Sequence, residues 1–264
     1  MFNSIVLKTL YEKRWSLLGW FTAVTFVAYI TMVFFPSLSN QSIDQVVGSV
    51  PDSLKGFIGN TSDYNTINGF IAQQLFGPNM IILTIVMSII LFLSVSSGDE
   101  ERGSLKTLVT YPVSRRRVLL EKFFAIFIII GIVSFGIVIG ALIGLLQIGE
   151  HASILRLLQS ALECWFMNVA YGAVGFGIAF ATGSRGLSIA VASGYAFISI
   201  TISSLAAGVD KLKTIDHFSI YHYYNNPQIM NHGISLNDFS LLLVIIIATL
   251  LVAYLGFRRR DIKG

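Results

Sequence analysis

Long apolar stretches alternate with short polar connections along this chain. A helix needs about 20 apolar residues to cross the hydrocarbon core of a bilayer. Six stretches meet that requirement and predict six transmembrane helices, at about 17–35, 79–97, 122–146, 161–182, 187–208 and 240–257. Only the sequence "GSRG" separates the fourth stretch from the fifth, which indicates a tight helical hairpin. The predicted fold class is therefore all-α: a polytopic integral membrane protein in which residues 1–264 form one transmembrane domain.

The composition agrees with a membrane location. The chain is 54% hydrophobic and 12% charged, whereas soluble domains carry about 25% charged residues. The single cysteine, Cys164, excludes an internal disulfide and a cysteine-based metal cluster. The four histidines all fall in outer connections, where solvated side chains explain them more simply than metal ligation does. We therefore expect no metal site and no cofactor in this chain.

Basic residues are concentrated on one side of the predicted spans. Of the 18 Lys and Arg residues, 14 lie at the two termini, in the connection after the second stretch, at the start of the third, or in the "GSRG" turn. Positive residues mark the cytoplasmic side of a membrane protein. Both termini are therefore predicted to be cytoplasmic, and the larger loops, at about 36–78 and 209–239, are predicted to be external.

The N-terminus predicts a short amphipathic helix. Phe2, Ile5, Val6 and Leu10 recur at helical spacing, and charged residues fall off that stripe. A helix of this kind lies in the plane of the membrane interface, with its apolar face toward the lipid.

The connection "SGDEERGSLKTLVTYPVSRRR" predicts a second amphipathic helix below the membrane. Gly103 and Ser104 interrupt the preceding helix, and Ser104 suits an N-cap. Leu105 and Leu108 share an apolar face, which needs a partner of lipid or protein, and Pro112 ends the segment.

The charges of this connection have two explanations. The arginines Arg115–Arg117 follow Ser114, which is expected to cap the next helix, and they either fix the topology or bind anionic lipid headgroups. Topology does not explain Asp99, Glu100 and Glu101, because acidic residues contribute little to it.

The stretch "EERGSLKTLVTYPVSRRRVLLEK" resembles the signature loop of type-2 ATP-binding-cassette (ABC) permeases. The matching residues are Glu101, Gly103, Ser104, Leu105, Pro112, Val113, Ser114, Arg115 and Lys122. The C-terminal "FRRRDIKG", the interfacial N-terminal helix, the six spans and the outer-loop "VPDSLKGFIG" resemble the same family, so the resemblance covers essentially the whole chain. It implies that the loop forms a coupling helix that docks on a cytoplasmic ATPase. The residues assigned to coupling are Glu100, Glu101, Gly103, Ser104, Leu105, Leu108, Pro112, Ser114 and Arg115.

The resemblance also implies a function and a set of partners. The expected protein is the permease subunit of an exporter of a hydrophobic or amphipathic substrate, located in a prokaryotic cell membrane. A second permease copy, identical or different, and two ATPase subunits are the expected protein partners. No sequence of the form G-x-x-x-x-G-K-[ST] occurs, so ATP and Mg²⁺ are expected on the partner ATPase, and this chain is expected not to be an enzyme. Membrane lipid is an expected partner, and nucleic acid is not.

Small and polar residues within the spans are candidates for packing or for the translocation path. Gly136, Gly140 and Gly144 repeat every fourth residue, which permits close helix contact. A small-residue stripe on the fifth stretch comprises Ser188, Ala192, Ala196, Ser199, Ser203 and Ala206. Polar residues inside the membrane are costly and often functional. The path candidates are Glu163, Asn168, Ser199 and Ser203.

Two other functions remain open from the sequence. One is a secondary transporter or channel that is not driven by ATP, and the other is a membrane anchor or sensor subunit that transports nothing. A secondary transporter typically has inverted repeats or charged groups near the membrane midplane. Neither feature stands out in this sequence.

Overall fold

The computed structural model describes residues 4–39, 66–105, 113–206, 208–224, 229–230 and 233–260. Six of its helices are long and apolar enough to cross a membrane. We name them span 1 to span 6, and they are Arg14–Val33, Pro78–Val95, Arg115–Ile148, Ile154–Thr182, Arg185–Ala206 and Leu236–Arg259. Each coincides with a predicted stretch, so the predicted all-α polytopic fold with six spans is confirmed.

Shorter helical segments lie at both ends of these spans. An N-terminal helix covers Ile5–Glu12, as predicted. Before span 2, a helical turn at Ile67–Phe70 continues into a π-helical turn at Ile71–Leu75. The remaining short segments are Phe35–Ser39, Ser97–Glu101, Asp210–Leu212, Lys213–Asp216 and Tyr221–Tyr223. The predicted outer loop at 36–78 falls largely on residues 40–65, which lie outside the described residues.

Local sequence signals set several helix ends. The Ser114 hydroxyl accepts a hydrogen bond from the Arg117 amide at 3.3 Å, so Ser114 caps span 3 as predicted. Gly183 ends span 4 with a φ of 70°, a left-handed conformation that glycine adopts without strain. Span 5 begins two residues later at Arg185, which confirms the tight hairpin.

Spans 2 and 4 form the centre of the bundle. In each, 72% of the most apolar window is buried, compared with 17% in spans 1 and 6, which therefore lie at the periphery. Span 1 packs along span 3, and span 6 packs along span 4. A Cβ added to Gly140 would lie 2.2 Å from the Thr25 carbonyl oxygen, and one added to Gly144 would lie 2.4 Å from the Met32 Cβ. The predicted packing role of these glycines is confirmed.

A chain of aromatic rings connects four spans. Phe92 of span 2 contacts Phe123 of span 3 and Phe176 of span 4, with ring centroids 5.2 and 5.4 Å apart. From Phe176 the contacts continue to Phe180 at 4.6 Å and on to Phe257 of span 6 at 4.8 Å. All five rings are buried. The last three of these pairs are edge-to-face, an arrangement that stabilises the packing beyond simple burial.

Both termini of the described chain lie at the same end of the bundle. The Glu121 carboxylate accepts a hydrogen bond from the Ile5 amide at 2.6 Å, which attaches the N-terminal helix to the start of span 3. Arg260 forms an ion pair with Glu100 just after span 2. The hairpin between spans 4 and 5 reaches the same place through Arg185. We call this the basic end and the opposite end the far end.

Candidate functional site

Three consecutive acidic residues organise the basic end. We call Asp99, Glu100 and Glu101 the acidic triplet; they lie on the short helix that follows span 2. Each pairs with a base from a different part of the chain: Asp99 with Lys122 in span 3, Glu100 with Arg260 after span 6, and Glu101 with Arg185 at the start of span 5. The triplet therefore connects the basic ends of spans 2, 3, 5 and 6.

The Asp99–Lys122 pair lies deepest. The Lys122 side chain is 1% exposed, and its ammonium also donates a hydrogen bond to the Val95 carbonyl oxygen at 2.9 Å. Asp99 additionally accepts a hydrogen bond from Arg102 at 2.7 Å. A buried ion pair of this kind costs much free energy when one partner is removed, because the other charge is left uncompensated. The pair therefore holds the end of span 2 against span 3.

Arg260 occupies a notch beside the hairpin. Its guanidinium donates to both carboxylate oxygens of Glu100. A Cβ added to Gly183 would lie 2.0 Å from a terminal nitrogen of Arg260, so only glycine leaves room for this side chain. Arg115 donates to the carbonyl oxygens of Phe257 and Arg260, at 2.7 and 2.5 Å, and fixes the last turn of span 6 to span 3.

The predicted coupling residues occupy several environments. Gly103 has a φ of 72°, so it interrupts the helix as predicted. The Ser104 hydroxyl donates to the Asp99 carbonyl oxygen at 3.0 Å, while its expected partners as an N-cap lie outside the described residues. Leu105 is 1% exposed and belongs to the core of this chain. Its apolar partner is therefore this protein itself, and Leu105 holds the start of the loop against the bundle.

The rest of the predicted coupling helix cannot be compared with the structure. Leu108 and Pro112 fall within 106–112, which lies outside the described residues. The assignment of the loop to a partner ATPase stays a prediction.

A chain of hydrogen bonds runs through the far end. It starts at the buried Tyr171 hydroxyl of span 4, which lies 2.6 Å from the Ser199 Oγ of span 5. Ser199 lies 2.6 Å from the Ser219 Oγ, and the Ser203 Oγ lies 2.7 Å from the same atom. Ser203 also donates to Asp216. We call Tyr171, Ser199, Ser203, Asp216, Ser219 and His222 the far-end network.

His222 closes this network next to a cavity. Its Nδ1 lies 2.6 Å from an Asp216 carboxylate oxygen. Ser203, Asp216 and His222 line the cavity, whose volume is about 570 Å³, together with Lys213, His217 and two tyrosines. Burial raises the pKa of the Tyr221 and Tyr224 phenols, so both remain neutral. Two of the predicted path residues, Ser199 and Ser203, are thus connected to this polar cavity.

The other two predicted path residues are buried within span 4. Glu163 is 1% exposed, and one of its carboxylate oxygens has no hydrogen-bond partner within the described chain. Asn168 is fully buried, its amide nitrogen lies 3.3 Å from the Cys164 sulfur, and its backbone carbonyl accepts a hydrogen bond from Ser88 of span 2. Neither lines the far-end cavity, so the structure does not join them to Ser199 and Ser203.

Sequence reasoning missed several members of both clusters. Arg185 and Arg260 were assigned only to topology, and Tyr171, Asp216 and Ser219 were not singled out. An acidic run without a topological role was the one sequence signal that indicated partners for the triplet. No group of three or more His, Cys, Asp and Glu side chains is arranged to hold a metal ion in the part of the chain that the structure describes.

Comparison with known proteins identifies the family. A search of curated proteins found no matching sequence. A family model described as "ABC-2 family transporter protein" matches residues 4–262, nearly the whole chain. The match includes the six spans, the acidic triplet, the loop after it and the far-end network. Because the match extends over far more than half of the chain, the protein belongs to the ABC-2 transporter family and is the membrane-spanning permease component that such a transporter pairs with an ABC ATPase.

Proposed function

We propose that this permease exports a hydrophobic or amphipathic substrate from a prokaryotic cell. Two permease copies form the transport unit, and each binds one cytoplasmic ATPase subunit through the loop at 103–114. The basic end faces the cytoplasm, in agreement with the distribution of Lys and Arg. ATP and Mg²⁺ bind to the ATPase, because this chain carries no P-loop sequence.

The observation that carries the proposal is the position of the acidic triplet. The triplet immediately precedes the loop at 103–114, and Ser104 and Leu105 attach the start of that loop to the bundle. The start of the loop is therefore attached directly to the ion pairs that join spans 2, 3, 5 and 6. A force that reaches the start of the loop is passed to these four spans through the ion pairs of the acidic triplet.

The three ion pairs differ in how readily they open. The Arg185–Glu101 pair is about half exposed on both sides, and exposed pairs contribute at most about 1 kcal/mol. The Glu100–Arg260 and Asp99–Lys122 pairs are mostly buried. We infer that the loop moves together with spans 2, 3 and 6, and that the hairpin contact through Glu101 is the one that breaks. Nucleotide binding then shifts the population between two arrangements of the spans.

The far-end cavity favours a substrate without a large net charge. Its volume of about 570 Å³ lies within the range of small-molecule sites, roughly 300–1,000 Å³. Among the described residues, one lysine and one aspartate line it, alongside histidine and tyrosine side chains. Such a surface binds polar groups of either sign weakly and tolerates aromatic or aliphatic portions. An amphipathic molecule that leaves the membrane at this end fits these properties.

Reconstitution with the ATPase tests the proposal. Purified permease and ATPase are placed in liposomes, and ATP hydrolysis and ATP-dependent movement of fluorescent amphiphiles are measured. Replacement of Leu108 by Ala is expected to weaken co-purification of the ATPase about tenfold, because apolar anchors at interfaces contribute about 1–3 kcal/mol. Leu146→Ala is the matched control, since Leu146 is 80% exposed at the far end.

The outcomes separate the competing functions. ATP-dependent transport by the wild type, with loss of coupling in Leu108→Ala only, supports the proposal. Transport that proceeds equally well without the ATPase indicates a secondary transporter or channel instead. Wild-type co-purification in Leu108→Ala places the coupling site elsewhere. Leu105→Ala is uninformative alone, because loss of a buried leucine costs about 2–5 kcal/mol of stability.

A further inference from the structure

We propose that a groove between spans 3 and 6 is a binding site for an anionic phospholipid from the leaflet that contacts the basic end. The groove has a volume of about 330 Å³. Among the described residues, four leucines, one isoleucine and Tyr254 line it, and Arg116 is the one charged residue of that lining. The chemistry is that of a lipid: an apolar slot with a cation at one end.

The groove runs along the helix axis, as the acyl chain of a membrane lipid does. On span 6 it extends from Tyr254 to Ile247, seven residues or roughly 10 Å along the helix axis. Tyr254 lies five residues before Arg259, the last residue of span 6, so the groove begins roughly 8 Å below the end of the helix. Span 3 contributes Leu119 and Leu120, one turn below Arg116. The slot therefore runs from the headgroup region into the hydrocarbon core.

Arg116 differs from its two neighbours in having no partner among the described residues. Arg115 is held by the carbonyl oxygens of Phe257 and Arg260, and Arg117 pairs with Glu121 at 2.5 Å. Arg116 is exposed and has neither a hydrogen bond nor an ion pair within the described part of the chain. It also lies in the first turn of span 3, where a cation opposes the helix dipole. An anion bound at this position would pair with Arg116 and offset the unfavourable interaction with the helix dipole.

A second arginine, without a partner among the described residues, flanks the same site. Arg258 follows Tyr254 by four residues and Ile247 by eleven, so it lies on the groove-facing side of span 6, one turn beyond the groove. It is exposed and, like Arg116, has no partner among the described residues. Two guanidinium groups on opposite walls suit a phosphate group, whose oxygens accept charge-assisted hydrogen bonds.

The headgroup, and not the acyl chain, sets the selectivity. Acyl chains elsewhere in the bilayer are as apolar as these leucines, so transfer of a chain into the groove gains little hydrophobic free energy. The chain contributes shape, because it fills a slot that side chains leave open. Each basic residue near the surface favours an anionic lipid by roughly 1 kcal/mol, on the order of fivefold in affinity. We therefore expect discrimination between headgroups on chains of equal length.

Native mass spectrometry of the full-length permease, purified in detergent without the ATPase, tests this site. The probes are phosphatidylglycerol and phosphatidylcholine with identical acyl chains, added at matched concentrations. The wild type is expected to retain one phosphatidylglycerol at least fivefold more tightly than phosphatidylcholine. Arg116→Gln is expected to lose about fivefold of phosphatidylglycerol affinity and none of its phosphatidylcholine affinity. Arg116→Lys is expected to keep most of the preference, because it keeps the charge.

A pair of neighbouring substitutions tests the groove itself. Leu251 lines the groove and is 56% exposed, whereas Val252 does not line it and is 54% exposed. Leu251→Trp is expected to abolish tight retention of phosphatidylglycerol, and Val252→Trp is expected to leave it unchanged. Circular dichroism melting verifies that both variants fold.

Three results overturn the proposal. They are equal retention of the two lipids by the wild type, unchanged selectivity in Arg116→Gln, and equal effects of the two tryptophan variants. Displacement of the lipid by soluble glycerol phosphate, which has no acyl chain, also contradicts it, since that result indicates a phosphate site without a role for the groove.

Discussion

Arg260 donates hydrogen bonds to both carboxylate oxygens of Glu100, a residue 160 positions earlier in the chain. The contact connects the end of span 6 to the end of span 2, and Gly183 leaves the space in which the guanidinium lies. Because the same arginine receives a hydrogen bond on its carbonyl oxygen from Arg115, three spans meet at one residue. Arg260 is therefore part of the structure that holds the start of the proposed coupling loop.

Loss of this ion pair is expected to destabilise the protein strongly. Glu100→Gln leaves Arg260, whose side chain is 16% exposed, without its counter-charge, and breaking a buried pair costs about 3 kcal/mol or more. Glu101→Gln is the matched control, since its pair with Arg185 is exposed and costs at most about 1 kcal/mol. Thermal unfolding in detergent measures both. Equal midpoints for the two variants contradict the difference in burial on which this expectation depends.

The six spans were predictable because hydropathy alone determines them. A run of about 20 apolar residues is most stable in the hydrocarbon core of a membrane, and the thickness of that core sets the length of the helix. The glycines at Gly140 and Gly144 were predictable as packing residues for a related reason, since their spacing places them on one helix face. That they face Thr25 and Met32 of span 1 follows only from the tertiary arrangement.

The partners of the acidic triplet were not predictable from the sequence. Arg258, Arg259 and Arg260 are equivalent as neighbours in a basic run, and only the position of Arg260 beside Gly183 selects it for Glu100. Leu105 shows a similar limit. Helical periodicity indicated an apolar face, but it does not state whether that face meets a partner or the core of the same chain.

The far-end network was only partly predictable. Ser199 and Ser203 emerged from the small-residue stripe of span 5, most of which is buried, as its packing role requires. Asp216 ends the one-turn helix Lys213–Asp216, and Ser219 lies three residues after it. Segments this short show no periodicity from which the inward-facing side chains could be predicted.

Close packing between spans 1 and 3 predicts a large difference between two Gly→Ala substitutions. At Gly140, the new methyl group would lie 2.2 Å from the Thr25 carbonyl oxygen, so the two spans must separate. At Gly194 of span 5, nothing lies within 4 Å of the new methyl group, and alanine favours a helix over glycine by about 1 kcal/mol. Gly140→Ala is expected to lower the melting temperature in detergent, and Gly194→Ala to leave it unchanged or raise it. The opposite order would show that the contact between spans 1 and 3 is misplaced.

The orientation in the membrane is testable with two cysteines. Phe218 is 83% exposed at the far end, and Arg258 is exposed at the basic end. The native Cys164 is buried, and its replacement by Ala removes any background. A membrane-impermeant maleimide is expected to label Phe218→Cys in intact cells, and to label Arg258→Cys only after permeabilisation. Labelling of Arg258→Cys alone in intact cells reverses the proposed orientation.

The far-end network predicts that one hydroxyl of span 5 matters for transport and a neighbouring one does not. Ser199→Ala removes the common partner of Tyr171 and Ser219, and a buried polar group left without a hydrogen bond costs about 1–3 kcal/mol. Ser193 of the same helix is exposed and bonds only to its own backbone, at the Ile189 carbonyl oxygen, so Ser193→Ala is the control. With permease and ATPase in liposomes, Ser199→Ala is expected to reduce transport per ATP hydrolysed several-fold, because the network borders the cavity through Ser203.

The coupling residues are untouched, so co-purification with the ATPase stays at the wild-type level. Equal transport by Ser199→Ala and Ser193→Ala removes the far-end network from the path.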